Sequence, residues 1–171
     1  MGILDGNPKH EPLHYGEIMS LWNVSMAGKG MISCYEAYRN HAGDHELSAL
    51  LTDMLEQTKK EVKECDAILT DNGITPPPSL PERPKVQLED IPAGARFTDP
   101  EIGMMLAMNN AAGLVTCSGV MGSAIREDIG ALFAKYHAQK TQLGLRILRM
   151  NKEKGWLIPP PLQLKAEPVP V

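Results

Sequence analysis

Apolar residues recur along this chain in four blocks, each with the alternating steps of three and four that turn one helix face toward a core. The first block runs through Ile18, Leu21, Ser25, Gly28, Ile32 and Tyr35, widened by Trp22 and Met26. Its central residues, Ser25 and Gly28, are small enough to let a neighbouring backbone approach closely. The second carries Leu47, Leu51, Met54, Thr58, Val62, Cys65 and Leu69, with Glu56, Lys59, Lys60, Lys63 and Glu64 on a solvated side. The third (Ile102, Met105, Leu106, Asn109, Gly113, Thr116, Val120) is apolar nearly all round, which predicts a buried helix or one shared with a second subunit. The fourth holds Ile125, Ile129, Leu132, Tyr136, Leu143, Ile147 and Met150.

End signals bound these blocks. Pro12 suits a first helical turn, Gly43 breaks the first block and Asp44 caps the second, while Asn72-Gly73 closes it with a left-handed turn. Thr98-Asp99-Pro100-Glu101 is a helix start, Gly122-Ser123 a turn with Ser123 as the next cap, and Gly155 a stop. The predicted helices are therefore about 12–41, 44–72, 99–121 and 124–154, with a crossover at 73–98 and an extended tail at 156–171. Trp156 is expected to pack back onto the helices, and the last residues to be loosely held.

Prolines set the topology. Seven of them (Pro76, Pro77, Pro78, Pro81, Pro84, Pro92 and Pro100) fall between the proline-free stretches Leu13–Thr75 and Glu101–Ile158. Proline removes a backbone donor and clashes with the preceding turn, so helices lie between these clusters. Antiparallel neighbours need only about two to eight connecting residues. The 73–98 segment is far longer, and at ~3.3 Å per extended residue it can run the ~45 Å length of a helix. The reading is an all-α, ferritin-like four-helix bundle in a single domain (1–171), two antiparallel helix hairpins joined by a long Pro-rich crossover.

Composition narrows the function classes. A formal charge of −4 argues against a nucleic-acid partner. Cys34, Cys65 and Cys117 form no CxxC pair and read as reduced, buried thiols of a cytosolic protein. The start lacks a basic segment followed by an apolar run, so no secretory signal is expected. Glu101–Val120 is the most apolar window, but Asn109 and Asn110 at its centre make a core helix the expectation rather than a membrane span.

A ferritin-like layout raises the question of a di-metal carboxylate site, which needs inward Glu residues and a Glu-x-x-His on each of two helices. Glu11-Pro12-Leu13-His14 is the one such match, and it straddles a helix start. His137 has Ala134 three residues before it. No metal, cofactor or catalytic residue is expected; His10, His14 and Glu17 form only a weak metal-ligand grouping, with incidental surface histidines the simpler account. The thiols sit in apolar surroundings that raise their pKa and suppress reactivity. Met105, Asn109, Asn110 and Gly113 mark a ligand pocket or an interface, against a structural polar network as the plainer reading.

Further motifs carry a resemblance. Asn7-Pro8-Lys9-His10-Glu11-Pro12-Leu13 followed by Glu17-Ile18 and Leu21-Trp22, then Ile91-Pro92 to Phe97-Thr98, Arg126-Glu127-Asp128-Ile129 and Lys154-Gly155-Trp156-Leu157-Ile158-Pro159-Pro160, span nearly the whole chain. In order and spacing they resemble a bacterial family of unknown function related to spore coat protein F. The resemblance implies a ferritin-like bundle from a spore-former, made in the cytoplasm and placed in the spore coat, with no catalytic residues to carry over. Members often hold two copies of the domain, which implies a homodimer for this single copy, along with coat-protein partners. A non-catalytic structural or interaction protein is the leading expectation. A metal-binding oxidase or storage protein with unusual ligands, or a small-ligand carrier, is the alternative.

Overall fold

The computed structural model describes residues 11–163. Four helices, α1 (Tyr15–His41), α2 (His45–Asp71), α3 (Asp99–Ser123) and α4 (Glu127–Glu153), form an all-helical bundle with no strand among the described residues. Two short 3-10 turns, Leu88–Asp90 and Ala93–Ala95, interrupt the connector. α1 pairs with α2 and α3 with α4, and the hairpins meet along α1–α3 and α2–α4.

Most helix ends follow from local chemistry. The Asp44 carboxylate accepts from the Glu46 and Leu47 N–H groups at the start of α2. At the start of α3 the Glu101 carboxylate accepts from both the backbone N–H and the hydroxyl of Thr98. Gly73 and Gly155, with φ of 75° and 71°, supply the left-handed turns that end α2 and α4.

Two expected boundaries shift, for one reason. α1 begins at Tyr15 rather than near Pro12, because His14 caps it and the Glu17 carboxylate reaches back to the His14 N–H. α4 begins at Glu127 rather than at 124, and Ser123 is not its cap: α3 runs through Ser123, whose hydroxyl donates back to the Gly119 carbonyl. The other Glu17 oxygen instead accepts from the Ile125 and Arg126 N–H groups, both at 2.9 Å. Ile125, placed in the apolar seam by its spacing, is therefore exposed in the turn.

The connector lies along α1. Buried Lys29 donates to the Pro77 carbonyl, Arg83 bonds Ser33 and Glu36, Asn40 brackets Pro84 and Val86, and the Phe97 N–H donates to His41. This path starts where α2 ends and delivers α3 to the α1–α2 turn, where Asp99 accepts from the Gly43 N–H. α2 and α3 therefore run parallel, as the crossover length predicts. Trp156 packs against the core beside α3.

The core has two parts. Near the α1–α2 turn, Tyr35, Leu47, Leu51, Met54, Ile102, Leu106, Ile147 and Met150 pack together. Near the α3–α4 turn, Leu21, Cys65, Leu69, Cys117, Ile129, Phe133 and Tyr136 form a second cluster. α3 is not the buried helix its composition suggests. It buries only Ile102, Gly103, Leu106, Asn110, Cys117 and Val120, and much of its apolar surface faces outward.

Candidate functional site

Where the two core clusters meet, the bundle holds a cavity of about 170 Å³. Small residues line much of it: Ala27 and Gly28 on α1 and Ala112, Gly113 and Thr116 on α3. Thr58 and Glu61 close it from α2, and Tyr136 and Lys140 from α4. Ala27, Ala112 and Thr116 are exposed at its mouth, so it opens between α1 and α3.

Its polar groups are mostly paired. The buried Glu61 carboxylate accepts from Lys140 Nζ at 2.7 Å and from Gln57 Nε2 at 2.9 Å. Asn109 Nδ2 donates to the Tyr35 hydroxyl at 2.7 Å. The Tyr136 hydroxyl donates to Glu64 at 2.7 Å. Burial pushes the Tyr35 hydroxyl up to about 12 and raises Tyr136 further, so both phenols stay neutral. Burial likewise lifts the Cys65 thiol to about 12 and raises Cys117, leaving both as poor nucleophiles. One layer away, buried Lys29 pairs with Asp66 at 2.7 Å, and Ser25 also donates to that carboxylate.

The residues singled out in the sequence do not converge. Asn109 and Gly113 line the midpoint cavity. Met105 is exposed, and Asn110 turns to α4, where its amide lies against Gly144. His10 lies outside the described residues. His14 and Glu17 meet as a helix cap: His14 Nδ1 accepts from the Gly16 N–H, so its proton sits on Nε2, 3.3 Å from the Ser123 carbonyl. Both imidazole nitrogens and both Glu17 oxygens are engaged. Among the described residues no three of His, Cys, Asp and Glu gather to hold a metal ion. Sequence reading missed Lys140 and Glu61, although Lys140 lies one turn after the inward Tyr136 and Glu61 one turn before the inward Cys65.

Described residues of the motifs behind the resemblance lie at the bundle ends. Arg126 forms a two-point contact with Asp128, at 3.0 and 2.7 Å, and its third nitrogen reaches the Glu11 carbonyl and Asn72. At the opposite end Lys154 pairs with Asp44 at 2.6 Å, and the Trp156 N–H donates to the Asn151 carbonyl. These residues fasten helix ends.

The outer face of α3 is the other distinctive surface. Met104, Met108, Ala111, Val115, Ser118 and Gly122 follow steps of four and three, all exposed, and no charged residue occurs from Ile102 to Ser123. Met108 is 63% and Val115 74% exposed.

The model of the DUF3231 family, proteins of unknown function, matches residues 1–169. This chain belongs to the DUF3231 family. A relative, the uncharacterized protein YvdQ of Bacillus subtilis (strain 168), is 50% identical over 165 residues, covering 96% of this chain and 97% of its own. The crystal structure of a "putative spore coat protein" from Bacillus halodurans C-125 superposes with a TM-score of 0.91 at 45% identity, over 93% of this chain and 100% of that one. The four-helix bundle and the likeness to spore-coat-related proteins agree with the sequence reading.

Proposed function

We propose that this DUF3231 protein is a non-catalytic structural component of the spore coat that assembles as a homodimer through the outer face of α3. The observation that carries this reading is the exposed stripe Met104, Met108, Ala111, Val115, Ser118 and Gly122. A heptad-like apolar stripe on a helix already packed on its other side is fitted to a second helix. The stripe is also complementary to itself. Its bulk lies at one end, in Met104 and Met108, and its gaps at the other, in Ser118 and Gly122. Two copies crossing antiparallel about a two-fold axis near Ala111 and Val115 set bulk into gap twice. The absence of charge along this face favours a like partner over an acidic or basic one. The coat assignment draws on the Bacillus halodurans relative, and a scaffold role accords with motif residues that fasten helix ends.

Light scattering on the purified chain tests assembly. A dimer is expected at tens of micromolar, and Val115→Glu should give a monomer of unchanged helical content. Wild type that remains monomeric at several hundred micromolar overturns the interface. Immunoblots of coat extracts from a sporulating Bacillus host test the location, and recovery of the protein solely from the mother-cell or vegetative fraction overturns it.

A further inference from the structure

We propose that the midpoint cavity is a binding site for a small neutral molecule the size of one six-membered ring and carrying a single hydroxyl group, a phenol being the simplest case. The size sets the first limit. A dry cavity of about 150 Å³ inside a protein accommodates benzene. The present cavity, about 170 Å³, takes a ring with a substituent of one or two further atoms.

The lining sets the second. Val24, Ala27, Met31 and Ala112 offer apolar walls. The one ion pair at its edge is already closed, Lys140 with Glu61 at 2.7 Å. An anionic ligand would have to displace Glu61 from Lys140, and a cationic one Lys140 from Glu61. The first exchange strands the buried Glu61 carboxylate, and the second pulls the half-buried Lys140 ammonium from its partner, so charged ligands are disfavoured.

The third limit is the open hydrogen-bonding capacity on the wall. The Tyr35 hydroxyl accepts from Asn109 Nδ2, which leaves its own proton to donate, and Asn109 Oδ1 accepts from no described residue. Both residues line the cavity. Side by side they present one donor and one acceptor, the complement of a hydroxyl, which accepts and donates at a single oxygen. A hydrocarbon ring would fill the space and leave both unused. This site is independent of the coat reading: it lies inside one bundle, and the α3 stripe lies outside it.

Titration of the ¹⁵N-labelled full chain with phenol, followed by amide shifts, tests the proposal. Saturable shifts are expected at Ala27, Gly28, Asn109, Gly113 and Lys140. Benzene, which makes neither bond, should bind about a hundredfold more weakly, the change that two hydrogen bonds of about 1.4 kcal/mol each give. Tyr35→Phe removes one of the two bonds, so it should weaken phenol about tenfold and leave benzene unchanged, narrowing the difference between the two. Ala112→Phe, a surface change that plugs the mouth, should abolish both; the amide spectrum of each variant reports that it is folded. Equal affinity of wild type for phenol and benzene overturns the hydroxyl assignment. Shifts confined to the outer stripe of α3, or linear shifts to tens of millimolar without saturation, overturn the site itself.

Discussion

Glu17 ties the start of α1 to the start of α4. One of its oxygens closes the first turn of α1 on His14, and the other accepts the two N–H groups at the start of α4. It is 2% exposed, so these bonds have no solvent substitute. Glu17→Ala strands three backbone donors, and at ~1.5 kcal/mol or more for each bond to a charged group the loss should be about 3 to 5 kcal/mol in a urea titration. Glu17→Gln keeps one acceptor oxygen and should lose about half as much, again about 2 kcal/mol. The sequence places Glu17 three residues after His14, a spacing that serves a metal ligand pair and a helix cap equally well. What decides between them is the α3–α4 turn, which arrives from more than a hundred residues away. Lys140 and Glu61 illustrate the same limit: their helix registers are readable, but their partnership across α2 and α4 is not.

Among the elements, α1 shows how one helix uses two glycines differently. A Cβ on Gly28 would stand 2.5 Å from Val62 Cγ2, whereas one on Gly30 would meet nothing within 4 Å. Gly28→Ala must turn Val62 or push α2 away and should cost about 1 to 3 kcal/mol, as overpacked contacts do. Gly30→Ala should instead stabilise by about 0.5 to 1 kcal/mol through backbone entropy. Paired thermal melts with opposite signs would check both. The close approach at Gly28 is legible in the spacing of the first block. The role of α3 is less so, because apolar residues on both its core and outer faces erase the contrast that identifies a buried side. The start of α4 is missed for a different reason: its first N–H groups are satisfied by a carboxylate on α1, so Ser123 looks like a cap without being one.

The whole molecule is held at both ends by ionised carboxylates, and that sets its response to acid. Asp44 lies below the usual carboxylate range through its hydrogen bond from Lys154, aided by the α2 N–H groups. Asp128 is lowered by the Arg126 guanidinium. Burial raises Glu64, but Lys135 and the Tyr136 hydroxyl outweigh it and bring it down. Each is a stronger acid folded than unfolded, so the stability they add is complete above the unfolded values near ~4 and is lost as pH falls through the folded ones. The urea midpoint should therefore drop below about pH 4, and Asp44→Asn should flatten that drop. The connector bears on a different matter. Residues 72–98 are long enough for α3 and α4 of one chain to settle on α1 and α2 of another, filling the same seams. Lys29, Ser33, Glu36 and Asn40 fasten that segment to α1 of its own chain before α3 begins. The strap thus favours a closed bundle over hairpin exchange between chains, which would join copies into swapped assemblies.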